Sequence, residues 1–331
     1  MKINWGVLGT ARIGFEQTIP AMSEVENCNL YGIAGRNKEK VDAFKEKFGF
    51  QKAYYSLEEM LADDQIQAVY IPLPNSLHKE WVIKAAQSGK HVLCEKPLAE
   101  NEKDIKEMID ACVKAGVIFM EAFAYLHSPV ISEIKSVLDS GRIGDITFME
   151  TVFFTPDNGE QDIRMNRETL GGSVYDLGCY NISLILIMIG EEPEYVKAMA
   201  HYTKKGIDDF ASAYFEFASG KRACFSTGMC NSQRGDRFFI YGTKGKIEAD
   251  YHFNVPGVSK YYIEIDNKRE ECFAFSTNNY GLEVEQLGNC IIKGEKPKVS
   301  HEFSLANGRT IDKVLEAMGY HLADNKSISS N

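Results

Sequence analysis

The stretch Ile3-Asn4-Trp5-Gly6-Val7-Leu8-Gly9-Thr10-Ala11-Arg12-Ile13-Gly14 is an apolar run that breaks on a glycine and continues as a helical pattern through Ser23. Strand, glycine turn and helix in that order are expected of a dinucleotide-binding unit. There the first glycine allows the tight turn, the second a close backbone approach to pyrophosphate, and the third helix packing on the strand. Ala11 holds the middle position. Its methyl group narrows the gap but leaves the amides of the helix N-terminus open to phosphate, so Gly9, Thr10, Ala11, Arg12 and Ile13 are the expected cofactor-side residues. The competing reading is a glycine-rich turn of some other α/β protein.

Outward from that turn, short apolar runs alternate with helical patterns, as βα units on a parallel sheet require. Strands are expected at 3–8, 30–34, 68–71, 91–94 and 117–121. Ser56-Leu57-Glu58-Glu59 reads as a capping box, and Gly89 and Gly116 as stops for helices beginning near Ser76 and Asn101. About twenty residues beyond Gly14, where a NAD-binding domain offers an acid to the ribose, the chain reads Ala34-Gly35-Arg36-Asn37. Arg36, with Arg12 or Lys40 assisting, suits a 2'-phosphate or stacks on adenine, so NADP is expected over NAD. The bland alternative is a solvated arginine.

His91-Val92-Leu93-Cys94-Glu95-Lys96-Pro97 carries an apolar strand straight into Glu95 and Lys96, both expected on the cofactor side. Ligands of open parallel sheets sit beyond the carboxyl ends of the strands, so Lys96 is placed to meet a substrate beside the nucleotide. Pro97 disfavours helical backbone at Lys96 and holds the turn extended. In Pro72-Leu73-Pro74-Asn75-Ser76-Leu77-His78, Leu73 and Pro74 are expected against the cofactor, with Asn75 or Ser76 as a helix cap. His78 is read either as shaping the nicotinamide pocket or as a packing residue.

After Ala124 the pattern changes to a helix ending near Gly141, followed by alternating strands at 145–155, 195–202, 210–217, 222–229, 238–241, 246–250 and 261–265. Tight turns at 218–221 and 242–245 imply an antiparallel sheet, hence an α+β second domain. The expected division is 1–123 for the nucleotide domain and 124–331 for the substrate and dimerisation domain. The polar end Asn325–Asn331 is expected to fray. The aromatic alternation of 210–217 on an open sheet predicts a homodimer or higher oligomer. Gly171-Gly172-Ser173-Val174-Tyr175-Asp176-Leu177-Gly178-Cys179-Tyr180 opens an apolar helix to about Ile189. Asp176 and Tyr180 are expected on one face of it. A structural cap with a core tyrosine is the alternative.

With 331 residues and 44% hydrophobic content, the chain can fill two cores. Its net charge of -10 and lack of a basic stripe argue against nucleic acid. No apolar stretch is read as a membrane span, and the strand beginning at Ile3 leaves no room for a signal peptide. Eight cysteines without a Cys-x-x-Cys pair are read as reduced core residues of a cytoplasmic protein. The scattered histidines give no metal-ligand spacing, so no metal is expected.

Taken together, Gly9–Gly14, Glu95-Lys96-Pro97, Met120-Glu121-Ala122-Phe123 and Gly171–Tyr180 resemble the glucose-fructose oxidoreductase/inositol dehydrogenase (Gfo/Idh/MocA) family. With Gly206-Ile207-Asp208-Asp209, they look most like the branch of dimeric dihydrodiol dehydrogenases and NADP-dependent D-xylose dehydrogenases. The resemblance implies a Rossmann domain, a C-terminal domain with a large open antiparallel sheet, and hydride transfer between nicotinamide and a sugar, polyol or related hydroxy or carbonyl compound. It places catalysis on Lys96, Asp176 and Tyr180, and carries over Arg164 toward the cofactor. Ile163-Arg164 and Ala124-Tyr125-Leu126-His127 depart from the family pattern. Tyr180 is the expected proton acceptor; a phenol with an ordinary pKa near 10 needs the Lys96 ammonium to favour its anion. Asp176 is expected to orient the substrate hydroxyl or the lysine. The rivals are a non-catalytic NADP sensor on the same fold and a reductase of a non-sugar carbonyl or imine.

Overall fold

The computed structural model describes residues 1–157, 159–250, 253–254 and 256–320, so the expected fraying at 325–331 lies outside the described residues. The chain forms two compact units: Met1–Ser128 with Thr277–Leu305, and Pro129–Ser276 with the segment from Ala306 onward. The expected boundary at 123/124 is therefore displaced, and the N-terminal unit regains a segment from near the end of the chain.

In the N-terminal unit the strands are β1 (Ile3–Leu8), β2 (Cys28–Ala34), β3 (Lys52–Tyr54), β4 (Ala68–Ile71), β5 (His91–Glu95) and β6 (Phe119–Ala122). They pair in parallel in the order β3-β2-β1-β4-β5-β6. The order reverses at β1 and β4, which is where open sheets of this kind bind ligands. Between the strands run α1 (Ile19–Glu24), α2 (Lys38–Phe48), α3 (Leu57–Leu61), α4 (His78–Gln87) and α5 (Glu102–Ala115). Ser56 and Asn101 accept the N–H of Glu59 and Asp104, so local capping chemistry starts α3 and α5 as read from sequence. The start of α4 differs: a 3-10 turn at Asn75–Leu77 precedes it, and neither Pro74 nor Leu77 forms a side-chain cap.

The C-terminal unit opens with α6 (Pro129–Asp139) and β7 (Ile146–Pro156). Next come α7 (Cys179–Ile189), β8 (Tyr195–Tyr202), β9 (Asp208–Glu216), β10 (Arg222–Asn231), β11 (Gly235–Gly242), β12 (Gly245–Ala249), β13 (Gly257–Ile265) and β14 (Lys268–Ser276). The sheet order is β14-β13-β12-β11-β7-β10-β9-β8. It is mixed, because β10 lies parallel to β7 whereas the other neighbours are antiparallel. β14 was not foreseen. Thr151, buried under Asn181 of α7, and Tyr261, whose hydroxyl reaches Glu133 of α6, lie on one face through the register Thr151↔Phe238↔Ala249↔Tyr261. Both helices therefore cover the same side.

α8 (Asn279–Lys293) and α9 (His301–Ala317) follow the sheet, and α8 returns to the N-terminal unit. Tyr280 packs with Ala21 and Ala124, and the Asn27 amide donates to the Glu285 carbonyl at 2.9 Å. A helical run spanning Arg167–Ile189 has the length and composition of a membrane span, contrary to expectation, yet 83% of its most apolar window is buried inside the protein. None of the eight cysteines forms a disulfide. Cys28, Cys94, Cys112, Cys179 and Cys290 are buried, but Cys230 is exposed and is not a core residue.

Candidate active site

At the end of β1 the backbone of Gly9 takes a φ of 119°, and its N–H donates to the Ala34 carbonyl at 2.8 Å. A Cβ added there would lie 2.9 Å from Leu73, so the turn and the residue after β4 meet where a side chain would block approach. The helix that follows carries a π-turn at Gly14–Thr18, with the Ile19 N–H bonded to the Gly14 carbonyl. Pro20 comes next and has no N–H to continue the α pattern, which accounts for the wider turn. Thr10 touches the position a Gly35 side chain would occupy. Arg36 stands exposed just before Asn37, the cap of α2. Arg12 is exposed and pairs with Glu16 at 2.8 Å. An open glycine turn, a helix N-terminus and an exposed cation beyond β2 fit a dinucleotide with a charged ribose substituent.

Lys96 follows β5, half-buried, with a cis bond to Pro97. His78 is fully buried and braces this turn: Nδ1 lies 2.9 Å from the Pro97 carbonyl and Nε2 2.8 Å from that of Leu73. Burial lowers its pKa. Those contacts give His78 a structural task of tying the β4 and β5 turns together.

Around Lys96 and the expected Glu95 lie buried polar groups, Thr18, Tyr70 and Glu283 among them, that the sequence reading missed. The Tyr70 hydroxyl donates to Glu95 Oε1 at 2.6 Å and receives the Thr18 hydroxyl at 2.9 Å. Glu121 accepts from Ser304 at 2.7 Å, and burial pushes its carboxyl up to about 8 despite the opposing charge of Lys96. Glu283 of α8 is fully buried with neither oxygen hydrogen-bonded; burial, and then Glu95, hold its pKa well above the ordinary value. A carboxylate inside the apolar strand Phe119–Ala122 was the available signal for Glu121. Nothing local marks Glu283.

In the C-terminal unit, Gly172 has a φ of 125°, and a Cβ there would lie 2.1 Å from Asp208 Oδ1. Asp208, fully buried, accepts from the Ser173 hydroxyl at 2.9 Å and the Val174 N–H at 2.8 Å, so it anchors the start of the next helical segment. Burial outweighs those bonds and pushes its pKa up to about 7. Val174–Gly178 is again a π-turn, leading into α7. Asp176 sits in this turn and Tyr180 in the first turn of α7, so the expected plain α-helix does not hold across the pair. Asp176 Oδ2 accepts from Arg164 Nε at 2.8 Å, and Arg164 also reaches Asp162 Oδ1 at 3.1 Å. Asp176 is the main cause holding the guanidinium above its usual pKa. Tyr180 packs against Phe153, at 5.5 Å between ring centres, and Phe253, at 5.1 Å. Among the described residues no cluster of three or more His, Cys, Asp or Glu is arranged to share a metal ion.

A doubly wound parallel sheet with an open glycine turn, joined in sequence to a unit built on one large mixed sheet, defines an NAD(P)-dependent oxidoreductase of two-domain type. The chain belongs to the Gfo/Idh/MocA family: residues 3–123 match its oxidoreductase NAD-binding Rossmann fold, and residues 131–248 its C-terminal domain. D-xylose 1-dehydrogenase (NADP(+)) 2 of Haloferax volcanii is 36% identical over 95% of this chain and 96% of its own length. Trans-1,2-dihydrobenzene-1,2-diol dehydrogenase of Xenopus laevis is 30% identical over 96% and 99%. A solved 3-ketoreductase from Actinomadura kijaniata, in complex with NADP and TDP-benzene, superposes with a TM-score of 0.91 at 27% identity over 96% of this chain and 98% of that one. The protein is an NAD(P)-dependent dehydrogenase or reductase, and the reading as a non-catalytic sensor falls away.

Proposed function

We propose that the protein is an NADP(H)-dependent dehydrogenase or reductase of a sugar, polyol or related hydroxy compound, with Lys96, Asp176 and Tyr180 as its catalytic set. The observation that carries the reading is Tyr180: a phenol walled by Phe153 and Phe253, one helical turn beyond an aspartate held by Arg164. When bound, the nicotinamide exchanges hydride with the substrate carbon. In the oxidative direction Tyr180 takes the hydroxyl proton, and in the reductive direction it returns one. Lys96 supplies the positive charge that stabilises phenolate and alkoxide. Asp176, its orientation set by Arg164, accepts from a substrate hydroxyl; this gives Arg164 a role on the substrate side in place of the expected cofactor contact. Gly9 through Ile13 hold the pyrophosphate, Leu73, Pro74 and Asn75 line the cofactor, and Arg36 takes the 2'-phosphate. The relatives named as an NADP(+)-dependent xylose dehydrogenase and as an NADP-bound ketoreductase support this cofactor and substrate class.

Thiols that form no disulfide and are mostly buried suit a reducing compartment, and we place the protein in the cytoplasm. Dimerisation through the C-terminal sheet also belongs to this reading. Its basis moves from β9 to β13 and β14, where Val258, Phe273 and Phe275 are exposed on the face opposite the buried Tyr261 and Ala274. A strictly monomeric sedimentation profile at micromolar concentration counts against the dimer. Absorbance assays with NADP(H) and NAD(H) across aldoses, polyols and dicarbonyls test the substrate class. Turnover confined to non-sugar carbonyls or imines overturns it.

A further inference from the structure

Phe253 and Asn254, which fall between β12 and β13, lie beside Tyr180, and side chains of the C-terminal unit hold Phe253 there. Arg234 and Asp236 pair through Nε at 3.0 Å and Nη2 at 2.6 Å, with Asp236 buried. Together they take both backbone groups of Phe253. Its N–H donates to Asp236 Oδ2 at 2.9 Å, and its carbonyl accepts from Arg234 Nη2 at 2.8 Å. The Phe253 ring stacks on Phe153 at 5.0 Å. A buried carboxylate and a guanidinium thus hold the main chain of Phe253, the residue just before Asn254.

That residue, Asn254, adopts a left-handed φ of 62°, which asparagine tolerates better than most side chains. Its Nδ2–H donates to the Tyr180 hydroxyl oxygen at 3.3 Å. Its Oδ1 is buried and makes no hydrogen bond to the described residues. A buried amide oxygen left open beside a phenol can accept from a donor that arrives with a ligand.

The geometry points to Asn254 as a positioning and specificity residue: its amide N–H steadies the Tyr180 oxygen during proton transfer, and its Oδ1 receives the hydroxyl neighbouring the reacting carbon. This rests on the reading of Tyr180 as the proton-transfer residue. An N–H donated to the phenol oxygen favours the anion. In oxidation the substrate O–H bond breaks and its proton passes to Tyr180, while the neutral amide gains and loses nothing. A substrate with adjacent hydroxyls satisfies both Tyr180 and the orphaned oxygen; a deoxy analogue leaves Oδ1 buried and unmet.

Two variants separate these roles. Asn254→Gly accepts the left-handed backbone and removes both amide functions. Asn254→Asp keeps an acceptor and removes the donor while adding negative charge. The probes are D-xylose, or the aldose of the panel that turns over fastest, and its 2-deoxy counterpart. Oxidative kcat/KM is followed against pH, with NADPH binding by fluorescence as the control. In both variants the limb assigned to Tyr180 should move to higher pH, with kcat down by about tenfold and NADPH affinity unchanged. The preference for the hydroxylated sugar should collapse in Asn254→Gly and persist in Asn254→Asp. An unmoved pH limb overturns the positioning role, and an unchanged sugar preference in Asn254→Gly overturns the specificity role. Should the glycine variant not fold, the aspartate variant still reads the pH limb, and Asn254→Ala, read by the same assay, replaces it for the preference. Near-wild-type turnover in Tyr180→Phe overturns the underlying assignment instead.

Discussion

Arg164 binds Asp176 across the Gly171-Gly172 turn, Nε to Oδ2 at 2.8 Å, while its own carbonyl accepts the Gly172 N–H at 2.9 Å. One residue thus holds both the turn and the aspartate that the turn delivers. The Asp176 side chain is 17% exposed and the Arg164 side chain 38%, so the pair is partly screened. Arg164→Met should lower stability by about 1 kcal/mol, the upper range for a partly exposed pair. Losing the orientation of Asp176 should lower kcat/KM by about tenfold or more. Thermal melts and steady-state kinetics measure the two separately; unchanged kinetics with a lower melting temperature would make Arg164 purely structural.

Arg36 precedes the Asn37 cap of α2 and is exposed, as a contact to a charged ribose substituent requires. Arg36→Ala should weaken NADPH binding by about ten- to a hundredfold, the worth of one charge-assisted contact, while barely changing NADH binding. Fluorescence titration with both cofactors decides. Equal losses would assign Arg36 to shared adenosine, and tighter wild-type binding of NADH would reverse the cofactor preference.

Tyr180→Phe retains the ring against Phe153 and Phe253 and removes the transferable proton. Turnover should fall by roughly 10²- to 10⁴-fold. Lys96→Met should also slow turnover while cofactor binding survives, and the double variant should fall short of the product of the two effects. Single-turnover hydride transfer is the measurement. Full rates in both variants would remove the pair from the chemistry.

Glu121 gives a pH signature. Burial raises its folded pKa from 4.5 to about 8, so its favourable protonated state is fully present below about 4.5 and lost as pH climbs through about 8. Across that window the unfolded chain releases a proton that the folded chain keeps, and stability declines. Glu121→Gln, which still offers an oxygen to Ser304, should remove the slope. By pH 9 it should exceed wild type by about 1 kcal/mol or more, or a few degrees in melting temperature. Parallel melting curves for the two proteins from pH 5 to 9 would show that Glu121 is ionised throughout.

Much of the N-terminal unit was legible because its signals are local. Gly9 marks a backbone that only a residue without a side chain tolerates against Leu73, and Ser56 and Asn101 satisfy N–H groups three residues away. Lys96 and Arg36 were legible by position, as polar residues at strand ends in an otherwise apolar rhythm. Period-two alternation located most strands of the second sheet, although the parallel β7–β10 pair has no local signal, since Phe225 meets Thr151 only after the intervening chain has folded. Each π-turn was hidden too. An apolar run looks the same whether its turns close four or five residues back, and Pro20 was the one visible reason for the first.

The amino-acid sequence by itself determined the doubly wound nucleotide unit and the strand-rich second unit, because periodicity, caps and glycine turns act over a few residues, while Lys96, Asp176 and Tyr180 were singled out as a set through the family resemblance of their motifs. Tertiary structure alone decided which groups surround them. Glu283 reaches the interior behind Glu95 only because α8 returns to the first unit, and Asn254 meets Tyr180 where Arg234 and Asp236 hold the neighbouring Phe253. Such partners are set by where separate segments pack, and packing energy depends on the whole core rather than on the residues beside each group in the chain.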